Sequence, residues 1–204
     1  GQAFESSPKP DALSGPPAHG RELMPLVARQ MDAAGLGFPD LQAVAVGVGP
    51  GGYTGLRIGV ATARALAQAH ALLAVPVSSL SALAAGIGAP VALPLIDARR
   101  GQVFAALHVG GEERWSPFVA RPEEVAQRVF AAAQDGLPAP LAAGDGALRF
   151  RDALEAASIA VAPTRSDCHA VRGAQVCRIA DGLAGVAPEA VVPSYLRSPD
   201  ATLR

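Results

Sequence analysis

The stretch VGVGPGGYTGLRIG, Val46 to Gly59, holds a Gly-x-Gly-x-x-Gly at Gly47, Gly49 and Gly52. Between a strand and a helix, that spacing lets backbone amides at the helix N-terminus take a phosphate. A dinucleotide site also needs an acidic residue about twenty positions on to hold the ribose hydroxyls. No Asp or Glu occurs between Asp40 and Asp97. Pro50 also removes one amide from the turn. A phosphate-binding P-loop fails more simply, because no Gly-Lys-Ser/Thr follows and the only lysine is Lys9.

Other chemistry is equally sparse. The histidines, His19, His70, His108 and His169, stand apart in the chain, and none lies four residues from another on a helix as a zinc pair would. Cys168 and Cys177, nine apart, match neither a redox CxxC nor a zinc ligand set. They read as buried free thiols in a helix, as suits a reducing compartment. No Gly-x-Ser-x-Gly elbow is present, and Asp97 and Asp145, beside glycine turns, read as turn formers. The residues assemble no nucleophile, base and orienter, and no catalytic residue, metal ligand or cofactor is assigned.

Charge narrows the partners. Seventeen basic residues face eighteen acidic ones, with no basic excess to neutralise phosphates, so any nucleic-acid contact is expected to need a partner protein. Splitting the chain near residue 88 gives five basic and five acidic residues before the cut, then twelve and thirteen after it, so neither half is an electrostatic tail. The uncharged run from Ala65 to Ile96 is long enough for a membrane helix, but Pro76, Pro90 and Pro94 break it, and no basic and apolar leader is visible.

The elements that must position these residues follow from periodicity. Residues 1 to 18 read as loop after a short strand at Gln2 to Ser6. Leu23, Leu26, Val27 and Met31 recur at helical spacing and predict an amphipathic helix from Gly20 to Ala34. The apolar run Leu41 to Val48 predicts a strand covered on both faces. A second helix is predicted from Thr54, as N-cap, to Ala71. On it Gly55, Gly59, Ala63, Ala67 and Ala71 fall four apart, a spacing that flattens one side for close helix packing. Beyond it come a strand at Leu73 to Val77, a helix through Leu80 to Ala85, and a hairpin of Val91 to Ile96 with Val103 to Val109 around a turn at Asp97 to Gly101. A helix at Pro122 to Ala133, strands at Pro140 to Ala143 and Ile159 to Ala162, a helix at Val171 to Gly185 and an extended end complete the pattern. The mixture is α/β with a mixed sheet in each half. Gly86 to Pro90 marks a boundary between an N-terminal lobe, residues 1–88, and a C-terminal lobe, residues 89–204.

Five segments carry a resemblance. GPGGYTGLRIGVATARALA at Gly49 to Ala67 resembles the Gly-Pro-Gly-Ser-Phe-Thr-Gly-Leu-Arg segment of the TsaB (YeaZ) family of the bacterial tRNA threonylcarbamoyladenosine system. HGRELMPLV at His19, VPVSSLSALA at Val75, LIDARRGQVFAAL at Leu95 and PSYLR at Pro193 follow in family order. Gly52 and Tyr53 stand where the family usually has Ser and Phe, and its opening strand with an Asp-Thr-Ser loop does not precede these segments.

The resemblance implies an actin-like, sugar-kinase and Hsp70-type (RNase H-like) two-lobe fold whose first lobe lacks its N-terminal strand or strands. It implies that Gly49, Pro50, Gly51, Gly52, Tyr53, Thr54 and Arg57 form the family's turn. The catalytic relative, TsaD, has a pair of metal-binding histidines just after the segment equivalent to Val75-Pro76-Val77. Here Ser78, Ser79, Leu80 and Ser81 stand at those positions, and hydroxyls are poor ligands for a transition ion. The chain therefore resembles a non-catalytic cytoplasmic subunit that dimerises with TsaD through its first two helices, at Leu23, Leu26, Val27, Gly55, Gly59, Ala63 and Ala67. It is expected to self-associate when alone, and a TsaE-type ATPase is a further candidate partner. The rival reading is a stand-alone nucleotide-binding enzyme of the same fold, kinase-like or peptidase-like.

Overall fold

The computed structural model describes residues 19–197. Two sheets organise it. The first pairs β1 (Ala43–Gly49) with β2 (Leu73–Ser78) in parallel, from Ala43 opposite Leu73 to Gly47 opposite Val77, with an irregularity before Gly49. Helix α1 (His19–Ala34) precedes β1, and α2 (Tyr53–Ala69) joins the two strands. One face of this sheet buries Val46 and Ala74 against Val60, Ala63 and Ala67 of α2. Its other face buries Val75 and Val77 against Ala82 of α3 (Ser79–Ile87) and Val176 of α7 (Gly173–Ala180). Parallel strands covered on both faces need unbroken apolar runs, which is what β1 and β2 are.

The second sheet has the order β5-β4-β3-β6-β7. Antiparallel β3 (Val91–Arg99), β4 (Gln102–Val109) and β5 (Glu112–Ala120) form a meander, to which the short β6 (Leu141–Ala143) and β7 (Ala160–Val161) add in parallel. Leu93, Leu95, Val103 and Leu107 pack on one side against Val125 and Val129 of α4 (Pro122–Gln134) and Leu154 of α6 (Arg151–Ala156). On the other side Phe104 and Ala106 meet Leu80 of α3. Helix α3 thus packs on both sheets, with Ser78 Oγ capping its N-terminus by accepting from Ser81 N–H at 3.3 Å. Each fully buried Leu of these layers is worth about 1.5–3 kcal/mol of apolar burial.

After α7 the chain returns to the first sheet. Val186 and Ala74 exchange two backbone hydrogen bonds, Val191 is buried on the α2 side, and Ser194 N–H donates to Val48 O at 2.7 Å. Any division into two lobes, which we propose with its first boundary near residue 88, therefore places 173–194 with 19–88, while Leu196 and Arg197 reach across to the second sheet.

Several expectations shift. Thr54 is not an N-cap: Gly52 occupies that position without a side-chain bond, and Thr54 is the exposed second residue of α2. The helix stops at Ala69, and Ala71 has a positive φ of 52°. The helix expected from Val171 to Gly185 is confined to Gly173–Ala180, because the chain must then turn back to pair with β2. Cys168 is half-buried on a 3-10 turn and Cys177 is exposed on α7, whose Val176 takes the sheet-facing position. The expected strand at Gln2 to Ser6 lies outside the described residues. Strand β5, α6 and the short helix α5 (Asp145–Arg149) have no counterpart in the periodicity reading.

Candidate functional site: the cleft beneath the glycine turn

The glycine turn leaves β1 at Gly49, whose φ of +113° is open to glycine and strained for other residues. A Cβ there would sit 2.8 Å from Ser194 O and 3.1 Å from Leu56 Cδ1, so the position is closed by space as well as by conformation. The Gly49–Pro50 peptide is cis. Gly52 O accepts the first helical bond, from Leu56 N–H at 3.0 Å, and Tyr53 begins α2.

Opposite the turn stand the carboxyl ends of β3 and β6. Their parallel pairing, Pro94 against Ala143, brings Asp97 beside Asp145 although 48 positions separate them. Asp97 N–H donates to Asp145 Oδ1 at 2.9 Å. The Asp97 carboxylate accepts from Arg99 N–H at 2.9 Å, Arg99 Nη1 at 3.3 Å and Arg149 Nη1 at 2.9 Å. Gly144 permits this approach: its φ is +118°, and a Cβ would collide with the carbonyl oxygen of Leu95. The two aspartates thus tie strand ends together rather than serving only their own turns.

The C-terminal segment makes the third wall. Arg197 donates to Ala98 O at 3.0 Å and to Gln102 Oε1. Tyr195 packs beside Tyr53, ring centroids 5.1 Å apart, and its hydroxyl accepts from Arg57 Nε at 3.1 Å. That hydrogen bond pushes the already high pKa of Arg57 further up, and its guanidinium also lies 4.0 Å over the Tyr53 ring. The cleft so enclosed has a volume of about 500 Å³ and is lined by Pro50, Gly51, Gly52 and Tyr53, by 96–99, Phe104 and Asp145, and by 194–197. Among these lining residues there is no His, Cys or Lys. Asp97 is already held by two guanidiniums, and the hydroxyl of Tyr195 is engaged by Arg57.

Where the resemblance would set a pair of metal-binding histidines, Ser78 uses its hydroxyl on the α3 cap and Ser79 is buried. Among the described residues no group of three or more His, Cys, Asp or Glu could hold a metal ion. No described helix is long and apolar enough to cross a membrane.

The expected partner surface divides. Leu23, Leu26 and Val27 are half-buried on α1, which rests on α2. On α2, Gly55 is exposed and Gly59 half-buried, but Ala63 is 7% and Ala67 0% exposed, packed on the chain's own first sheet. These two cannot form a partner surface. A four-residue step turns a helix by about 40°, so the small-residue ladder starts on the flank and ends in the core.

The model of the family "TsaD: tRNA N6-adenosine threonylcarbamoyltransferase" matches residues 16–145, more than half of the chain. The chain belongs to the TsaD family, in its TsaB/YeaZ branch. The tRNA threonylcarbamoyladenosine biosynthesis protein TsaB of Escherichia coli is 35% identical over 123 residues, 56% of this chain and 53% of that protein. The match thus spans about half the length of that TsaB protein. An uncharacterized protein of Mycobacterium bovis is 34% identical across 90% of this chain and 77% of its own. The structure of YeaZ from Pseudomonas aeruginosa superimposes with a TM-score of 0.72 at 29% identity, covering 87% and 85% of the two chains. The TsaB/YeaZ fold is actin-like, with helices flanking the sheets; the second sheet is mixed as expected, but the first is a parallel β1–β2 pair rather than a mixed sheet.

Proposed function

We propose that the chain is the non-catalytic subunit of a tRNA threonylcarbamoyladenosine system. In this reading it dimerises with a TsaD-type transferase, which then delivers threonylcarbamoyl to N6 of adenosine 37 in ANN-decoding tRNAs. The observation that carries the reading is α1, an amphipathic helix that packs on α2 and leaves Met24 44% exposed and Val27 and Met31 only half-buried. This partly open apolar strip on α1 supports a docking surface. The names of the TsaB relatives support the system. The docking surface comprises Met24, Val27, Ala28 and Met31 of α1 with Ile58 of α2, and replaces the ladder that ends in the core.

With no transferase present, the same face pairs two copies of the chain. A TsaE-type ATPase is a further candidate partner. The test is threonylcarbamoylation of a tRNA transcript by the TsaD-type transferase of the same organism, with and without this chain. Dependence on the chain is expected, and equal rates without it would remove the role. The rival reading, an enzyme acting alone, rests on the paired aspartates in the cleft. Magnesium-dependent ATP turnover by the isolated chain would favour it.

A further inference from the structure

We propose that α2, the C-terminal segment and the arginines at the cleft mouth form a contact surface for the sugar-phosphate backbone of RNA. The proposal rests on the functional reading above, which supplies an RNA substrate but assigns its binding to no residue of this chain.

Charge is the first ground. Arg57 and Arg64 are two turns apart, about 10.5 Å along one flank of α2. Neither enters an ion pair among the described residues, and no carboxylate occurs in sequence between Asp40 and Asp97. Across the cleft, Arg99 and Arg149 have side chains 81% and 50% exposed and share one carboxylate, that of Asp97. Arg197 is held by a carbonyl and an amide oxygen, which leave its charge uncompensated. Five guanidiniums therefore gather around the cleft and α2, and among the described residues the ion pairs they form are those of Arg99 and Arg149 to Asp97, on a chain whose formal net charge is −1.

Shape is the second. A groove of about 530 Å³ beside α2, lined by Arg57, Arg64, Gln68, Pro193 and Tyr195, joins the cleft at Tyr195, which borders both. At that junction Tyr53 and Tyr195 are 37% and 40% exposed. Guanidiniums spaced along a groove take phosphates, and exposed aromatic rings between them offer stacking faces to unpaired bases. Val60, Ala61, Ala65 and Pro193 also line the groove, so an acidic protein segment is the rival occupant that the test separates from RNA. Because the chain as a whole is not basic, the contact adds to the grip of an assembly and is weak alone.

The test measures binding of a fluorescein-labelled, unmodified tRNA transcript between 50 and 200 mM KCl. It uses the full chain alone and with the TsaD-type transferase. The double substitution Arg57→Gln, Arg64→Gln should weaken binding several-fold and reduce the slope of log K against log salt by roughly 1–2, at about 0.7–0.9 per lost phosphate contact. Tyr195→Ala should weaken it about fivefold or more, as for a lost stacked base. Arg178→Gln, on exposed α7, should change neither. Retained transferase co-purification in the double variant separates this result from failure of the functional reading, and the chain-alone arm stands even if no transferase binds. If the double variant misfolds, Arg64→Gln alone carries the test. Unchanged affinity and slope, or an equal loss in Arg178→Gln, would overturn the assignment. So would binding of poly-glutamate as tight as tRNA and indifferent to Tyr195→Ala, which would give the face to an acidic protein segment.

Discussion

Substituting Gly49 by alanine tests whether the glycine turn is a structural launch for α2. The methyl group meets two obstacles. At φ of +113° a residue with a Cβ is strained, and the new atom would stand 2.8 Å from the backbone oxygen of Ser194. Strain of this kind costs about 1–3 kcal/mol and overpacking against backbone about 1–3 more, for a total of about 2–6 kcal/mol. In a domain of this size each kcal/mol lowers the thermal midpoint by roughly 2–4 °C, so a fall of roughly 4–24 °C is expected. The relief available is outward movement of the C-terminal segment, which would break the bond from Ser194 N–H to Val48 O. Calorimetric melting of Gly49→Ala beside the parent chain gives the first readout, and the rate of proteolytic cleavage within 191–197 gives the second. A midpoint within about 2 °C of the parent with unchanged cleavage would refute the reasoning, since it would leave neither strain nor steric conflict at the turn.

Two further outcomes follow from burial. Met24→Glu and Ala28→Glu, on exposed α1 positions, should abolish co-purification with a TsaD-type transferase while melting within about 2 °C of the parent; Ala63→Glu, which buries a charge against the first sheet, should instead lose several kcal/mol and accumulate as misfolded protein. His108 is 4% exposed on β4 with Nε2 unpartnered among the described residues, and burial pushes its pKa down despite the backbone at Gly111 and the charge of Glu113. The unfolded chain therefore binds a proton near pH 6.5 that the folded chain refuses: stability is fully present above that pH and falls below it, by at most about 1.4 kcal/mol per pH unit. Urea unfolding of His108→Leu between pH 7.5 and 5.5 should show a shallower dependence than the parent, and equal slopes would remove His108 as the cause.

Much of the framework was legible because periodicity reports what each element buries. Helix α1 was read within a residue of its start, and β1 and α2 within two at each end. Strand β5 escaped because its first residues, Glu112 to Arg114, are solvated on an outer strand and Pro117 interrupts the pattern. The Asp97–Asp145 bond could not be read, since it exists only through the β3–β6 pairing; the glycines flanking Asp145 were the available signal. The small-residue ladder misled because small residues at four-residue spacing suit a helix packed closely on its own sheet as well as one awaiting a partner. Only burial separates Ala63, in the core, from Met24, in solvent.

The central claim, a subunit that works by docking, is tested most directly by sedimentation velocity of this chain mixed with its organism's TsaD-type transferase. We expect a one-to-one complex that Met24→Glu dissolves. Two separate boundaries at micromolar concentrations of both wild-type chains, with the transferase fully active alone, would contradict it.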